Sequence, residues 1–284
     1  MSFLTRFAPS PTGLLHRGHA YSALTAWTAA RAAGGRFLLR IEDTDFTRCR
    51  PEYEAAIQAD LAWLGLDWEV PVLRQSEHRE DYNAAMDRLR VMGVLYRCFR
   101  TRREILALAG GAPHGEDPAD TMAFTGHPVP GDEEAERLAR GEAFAWRLSL
   151  AAARDRLGGF DGLTWVEETA EPGVHQAVPE RLGDMVVGRK DIGAGYVIAS
   201  VIDDARQGVT HVIRGEDLIA TTSIQRVLQA LLELPVPVYR HHRLILGPDG
   251  KRYAKRDRSV TLAELRAGGM TAEALRGTLG FTGG

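Results

Sequence analysis

The sequence predicts an α/β protein built on a parallel sheet, and three observations predict it. Two short apolar runs, residues 3–8 and 37–41, flank a helix-favouring stretch, so strand, helix and strand follow within about 40 residues. The pattern resumes near Tyr196, where residues 197–202 and 209–213 are rich in β-branched side chains. The second apolar run ends in an acidic cluster, Glu42-Asp43-Thr44-Asp45. Open parallel sheets bind ligands at such strand ends.

Taken in order, residues 3–8 form the first strand, and Pro9, Pro11 and Gly13 force a loop. Residues 19–33 form a helix that Gly34-Gly35 closes as a C-cap. The strand at 37–41 follows, then a helix at 51–64 with Pro51 at its start, then a helix at 78–92. Residues 110–131, rich in Gly, Pro, Asp and His, read as a long loop. A helix at 132–140 and a strand at 143–150 come next. Residues 197–202 read as a strand ending in Asp203-Asp204, and 209–213 as another. A helix at 221–232 and a short strand at 243–246 complete the pattern. Residues 1–95 and 186–240 are thus two halves of one nucleotide-binding domain, 96–185 an inserted α+β subdomain, and 241–284 a C-terminal region.

Composition limits the function classes. The chain has 284 residues, 44% hydrophobic and 26% charged, which suits a soluble globular protein. A net charge of −3 argues against coating nucleic acid non-specifically, while 35 Lys and Arg allow a local basic surface. Two cysteines, Cys49 and Cys98, make no disulfide framework and fit a reducing cytosol. No signal peptide and no run of 18 apolar residues is present, so the expectation is a cytoplasmic protein with no membrane span.

Three groups of residues carry chemistry. In Pro11-Thr12-Gly13-Leu14-Leu15-His16-Arg17-Gly18-His19, a loop enters a helix. A helix N-terminus offers N–H groups and a favourable dipole to phosphate, His16 and His19 can donate to phosphate oxygens, and Gly18 removes a side chain that would block the nucleoside. Taken alone, the motif is equally a polar loop with two surface histidines. Residues 250–259 hold five cations within eight positions, Lys251 and Lys255 among them. They either stabilise charge on a leaving pyrophosphate or form a solvated basic turn. Glu42, Asp203-Asp204, Arg6 and Arg214 could together hold an amino acid, a carboxylate pairing its ammonium and arginines its carboxylates. The alternative is that each is simply solvated.

The order of these motifs resembles the catalytic part of class I glutamyl-tRNA synthetases. The likeness rests on Arg6-Phe7-Ala8-Pro9-Ser10-Pro11-Thr12-Gly13, His16-Arg17-Gly18-His19, Leu39-Arg40-Ile41-Glu42-Asp43-Thr44-Asp45 and Ile213-Arg214-Gly215-Glu216-Asp217. Lys251 to Ser259 is similar to that class's second signature loop, with Tyr253-Ala254 in place of the usual hydrophobe and serine. The resemblance implies a Rossmann-like parallel sheet with the insertion and a short signature-loop region. It implies that Arg6, Ala8, Ser10, Glu42, Tyr196 and Arg214 contact glutamate. It implies that His16, Gly18, His19 and Lys255 bind ATP, with His16, His19 and Lys255 catalytic. Magnesium is expected with the ATP.

Only 25 residues follow Ser259, too few for the family's helical anticodon-binding domain. Among such synthetases the chain is most similar to truncated paralogues that attach glutamate to the queuosine wobble base of tRNA(Asp). The resemblance therefore implies glutamate, ATP and tRNA(Asp) as partners of a monomer. A minimal synthetase charging the tRNA 3′ end, or a non-catalytic tRNA-binding fragment, are the alternatives. These paralogues often hold zinc through a Cys-x-Cys pair, but Arg100 stands where the second cysteine would be. With only Cys98, His114 and His127 on offer, no metal site is expected, and Cys98 reads as a buried structural thiol.

Overall fold

The computed structural model describes residues 2–101, 103–105, 123–190, 193–245 and 260–281. β1 (Leu4–Phe7) is buried at all four positions, as a strand covered on both faces must be. α1 (Arg17–Ala32) returns the chain across the sheet. Its buried face is mostly alanine (Ala20, Ala23, Ala26, Ala30, with Leu24), which lets the helix lie close to the strands. β2 (Arg36–Ile41), α2 (Pro51–Trp63) and β3 (Glu69–Arg74) follow, and the three strands pair in parallel in the order β1-β2-β3. α3 (Arg79–Val91) closes this half.

The middle of the chain builds an antiparallel sheet in the order β4-β5-β8-β9, from β4 (Leu95–Cys98), β5 (Ala145–Leu148), β8 (Val186–Arg189) and β9 (Gly193–Ala194). α4 (Gly131–Ala139) precedes β5. The strand expected at 143–150 is shorter than that run, because Ser149 Oγ accepts the Ala152 N–H at 3.3 Å and caps α5 (Leu150–Leu157). Buried Asp184 staples this sheet: its carboxylate accepts from the Tyr96 hydroxyl and the Gly126 and Leu150 N–H groups, each at 2.9 Å. Neighbouring Gly183 has φ +65°, and a Cβ there would meet the Phe124 carbonyl at 2.4 Å, so only glycine fits.

The second half contains α6 (Tyr196–Arg206), β10 (His211–Gly215), α7 (Ile219–Leu232) and β11 (Val238–His242). β10 pairs with β11 in parallel, and β11 pairs with β6 (Thr164–Glu167), which forms a hairpin with β7 (Gly173–Gln176). Thus residues 96–185 contribute a strand to the parallel system as well as to the antiparallel sheet. Thr210 joins the two parallel sheets: its N–H donates to the Leu4 carbonyl at 3.0 Å and its carbonyl accepts from Val238 at 2.9 Å. Across that seam the strands read 3-2-1-10-11-6-7, and the chain order reverses between β1 and β10. That reversal is the crevice where a doubly wound sheet binds ligand.

Two expectations fail. Residues 197–202 are helical, not a strand. Five consecutive positions from Val197 to Val201 are buried, and a run buried on every side has no period to tell helix from strand. The strand expected at 243–246 lies earlier, at Val238–His242. Pro237 immediately precedes the first strand residue, where no ladder N–H is needed. The expected loop at 110–131 falls mostly outside the described residues.

One core cluster gathers α1, β1, β2 and α2 with Leu262, Leu275 and Leu279. Those leucines come from α8 (Leu262–Ala267), α9 (Ala272–Thr278) and the residue after it, so the C-terminal helices are built onto the first half. The other large cluster joins α3, α5, α6 and α7. Among the described residues no helix is long and apolar enough to cross a membrane.

Candidate active site

Charged side chains from four elements meet below the crevice. Arg6 on β1 is 4% exposed, and its Nε and Nη2 donate to both oxygens of Asp204 on α6, at 2.8 and 3.2 Å. Arg40 on β2 is wholly buried. Its Nη1 donates to Asp204 at 2.7 Å, its Nη2 to Glu42 at 3.3 Å, and its Nε lies 3.8 Å from Asp203. Asp203 also accepts from Gln75 at 2.7 Å and from the Tyr82 hydroxyl at 2.9 Å. Burial pulls the Arg40 pKa down, but Asp204, Glu42 and Asp203 outweigh it, so the guanidinium stays charged. Burial likewise pushes Asp204 up, and Arg6 and Arg40 outweigh it, bringing its pKa to about 2.

Glu42 follows the carboxyl end of β2, and its N–H donates to the Pro9 carbonyl at 3.0 Å, which ties it to the loop after β1. Burial raises its pKa against the pull of Arg40 and Arg6. A ligand ammonium would supply the further positive charge that this carboxylate lacks. Tyr196 opens α6, and its hydroxyl lies in the field of Arg214, Glu42, Arg6 and Asp204. Burial raises that hydroxyl's pKa. The ring remains about one-third open to solvent, at 37% exposure.

Arg214 near the end of β10 is 5% exposed. Its Nε donates to His241 Nε2 at 3.1 Å, and its Nη2 to Thr222 Oγ1 at 2.7 Å and the Leu218 carbonyl at 3.3 Å. Its Nη1 is buried with no hydrogen-bond partner among the described residues. A buried, unsatisfied guanidinium nitrogen costs free energy unless an acceptor arrives. Arg6, Glu42 and Arg214 thus all lie within electrostatic reach of the Tyr196 hydroxyl.

Ala8 and Ser10 lie in the loop beyond β1, half-buried and exposed respectively. His16 caps α1: its Nδ1 accepts the Gly18 N–H at 3.1 Å, and His19 Nδ1 accepts the His16 N–H at 3.2 Å. A backbone N–H can only donate, so both imidazoles are neutral and carry their proton on Nε2. The rings stand 3.8 Å apart. Gly18 therefore does not offer its N–H to a phosphate, as a bare helix N-terminus would. Lys251 to Ser259, and with them Lys255, lie outside the described residues. The described chain leaves at 243–245, where Leu244 N–H donates to Glu216 Oε1 at 3.1 Å. It re-enters at 260–262, where Thr261 bridges His16 and the Leu262 N–H donates to the Leu15 carbonyl at 2.8 Å.

Over residues 2–283 the chain matches the family described as tRNA synthetases class I (E and Q), catalytic domain. It belongs to that family. This class I synthetase domain is 46% identical over 291 residues to the glutamyl-Q tRNA(Asp) synthetase of Rhodobacter capsulatus, across 98% of this chain and 100% of that protein. It is 43% identical to the protein of the same name from Symbiobacterium thermophilum, across 98% of this chain and 86% of that one. Among solved structures, the glutamate-tRNA synthetase of Elizabethkingia anophelis superposes with a TM-score of 0.78 at 26% identity, over 98% of this chain. The chain spans 61% of the length of that synthetase.

Three residues of this cluster, Arg40, Thr222 and His241, are not singled out by the sequence. Arg40 stands inside the apolar strand run 37–41. Asp204 belongs with Glu42, Arg6 and Arg214 as the sequence groups them, but it lies on α6 and not at a strand end, and it faces Arg6. Thr222 and His241 lie in segments with no motif of their own. Cys98 on β4 is buried with no second thiol, His114 lies outside the described residues, and no three metal-ligating side chains gather among the described residues.

Proposed function

We propose that this class I synthetase domain activates L-glutamate with ATP and transfers it to the queuosine wobble base of tRNA(Asp). The unpartnered Arg214 Nη1 carries the glutamate assignment, since it awaits an acceptor in the pocket that also holds Glu42, Arg6 and Tyr196. Glu42 pairs with the substrate ammonium, and Arg214 takes the side-chain carboxylate. Ala8 and Ser10 line the approach, with Arg6 held charged beside the pocket by Asp204. His16 and His19 hold ATP through their Nε2–H groups above Gly18. Lys255 neutralises the leaving pyrophosphate. Its segment begins beside Glu216 and ends beside His16, which supports that role.

The substrate α-carboxylate attacks the α-phosphorus of ATP. The bond to the β-phosphate oxygen breaks, releasing pyrophosphate and leaving glutamyl-adenylate. A queuosine hydroxyl then attacks the acyl carbon, AMP leaves, and the hydroxyl proton passes to solvent. Both steps depend on positioning and charge stabilisation. Magnesium accompanies ATP as its counter-ion, and the domain works as a monomer in the cytosol. The tRNA(Asp) assignment draws on the two glutamyl-Q relatives.

Labelled glutamate offered with queuosine-containing tRNA(Asp) tests this. Label should persist when the 3′-terminal adenosine has been removed, and vanish on tRNA(Asp) lacking queuosine. Label that follows the 3′ adenosine instead would mean 3′ charging.

A further inference from the structure

We infer that Glu167 and His241 are positioning residues that aim Arg214 while leaving its charge available to a ligand carboxylate. The inference rests on the pocket proposed above and deepens it.

The geometry fixes the protons. Arginine Nε can only donate, so His241 Nε2 accepts from Arg214 at 3.1 Å and the imidazole proton sits on Nδ1. That proton is donated to Glu167 Oε2 at 2.6 Å. Glu167 is itself immobilised. Its Oε1 accepts the Thr169 N–H and hydroxyl at 3.0 Å, the Ala170 N–H at 3.1 Å and the His241 N–H at 3.0 Å. Glu167 and His241 are 3% and 2% exposed, and Tyr239 lies parallel to the imidazole at 5.7 Å. Burial and the neighbouring Arg214 hold the His241 pKa down at about 4, so the ring is neutral at pH 7.

A neutral spacer matters because of what the other two arginines do. Arg6 and Arg40 already face carboxylates, Asp204 against both and Glu42 and Asp203 against Arg40. No carboxylate pairs with Arg214 among the described residues; the Glu167 carboxylate is one imidazole away. The guanidinium is thus fixed through Nε and Nη2, with Nη1 unpartnered and the full charge unpaired. A ligand carboxylate gains the whole ion pair, and an amide does not.

Glu167→Gln tests this by inverting the tautomer. Donors crowd the Oε1 position, so the new NH2 faces His241 Nδ1, the ring proton moves to Nε2, and that proton then confronts Arg214 Nε–H. In glutamate-dependent pyrophosphate exchange, E167Q and H241L should raise the glutamate KM roughly 10- to 100-fold, the scale of a hydrogen bond to a charged group. The ATP KM should stay within about twofold, since the dyad touches only the amino-acid side. Preference for glutamate over glutamine should shrink. H241Q, whose amide oxygen can accept from Arg214, should recover most of the loss seen in H241L. ¹⁵N-histidine NMR of the wild-type protein should show His241 neutral with its proton on Nδ1; an Nε2–H tautomer would overturn the inference whatever the variants' folding. Wild-type glutamate KM in folded E167Q and H241L, or equal rises in both KM values, would also overturn it. R214A separates the two proposals. If R214A also keeps a wild-type glutamate KM, the pocket assignment itself fails. If R214A loses glutamate while E167Q and H241L do not, only the positioning role fails.

Discussion

Asp204 is the residue on which the site's electrostatics turn, because two buried arginines share its carboxylate. Removing one partner of a buried ion pair strands the other, at a cost of about 3–5 kcal/mol. Asp204→Asn is therefore expected to lower the unfolding free energy by that amount, read as a lower urea midpoint at an unchanged m-value in equilibrium unfolding. Arg214→Lys is expected to weaken glutamate binding about 10-fold or more, because lysine cannot make the fork that reaches Thr222, His241 and a ligand together. Titration calorimetry with glutamate checks this, and unchanged affinity would remove Arg214 from the pocket. At this scale Arg6, Glu42 and Arg214 were legible because each stands inside a run of residues with a recognisable order. His241 and Glu167 were not. Their partners lie 74 residues apart in the chain, and nothing local marks a histidine whose function is to accept one hydrogen bond.

At the scale of elements, α1 shows one side chain serving two purposes. His16 caps the helix through Nδ1 and presents Nε2–H at the same terminus. His16→Asn separates these, since asparagine is a good N-cap but has no ring nitrogen. Its stability should stay within about 0.5 kcal/mol of wild type while pyrophosphate exchange slows, whereas His16→Ala should also lose about 1 kcal/mol from the missing cap. Thermal unfolding alongside exchange kinetics decides between them. α1, α2, α3 and α7 were legible from flanking glycine, proline and helix-favouring composition. α6 was not. Its Val and Ile residues favour strands, and tertiary burial on all sides overrides that preference. The parallel pairing of β6 with β11 was equally hidden, since the partners come from stretches far apart in sequence.

For the whole molecule, the buried titratable groups set an acid limit. The His241 pKa is about 4 in the fold against an ordinary 6.5, so the unfolded chain binds more protons between those values. Stability is full above pH 6.5 and falls as pH drops toward 4, by on the order of 3 kcal/mol. His211 and His242, also lowered by burial, add in the same sense. Below pH 3.8 a second loss begins as Asp204 approaches its pKa of about 2. Glu42 and Asp203, raised by burial from ordinary values of 4.5 and 3.8, work the other way: the fold takes up their protons above those values, so they soften the first loss and not the second. Urea midpoints measured from pH 7 to pH 4 should fall steadily, and His241→Gln should flatten that slope. An unchanged slope would mean that His241 does not titrate as described.

The seam between the halves also has a consequence for how the chain is made. Arg40 meets Asp204 across 164 residues of sequence. On a ribosome adding about 5–20 residues per second, β2 therefore waits roughly ten to thirty seconds after Arg40 is made before its main counter-charge is synthesised. During that interval Arg6 and Arg40 have only Glu42 to face, and the first half cannot bury them cheaply. The nascent sheet thus stays open at its ligand-binding edge until α6 has been translated, and the pocket is among the last parts of the molecule to close.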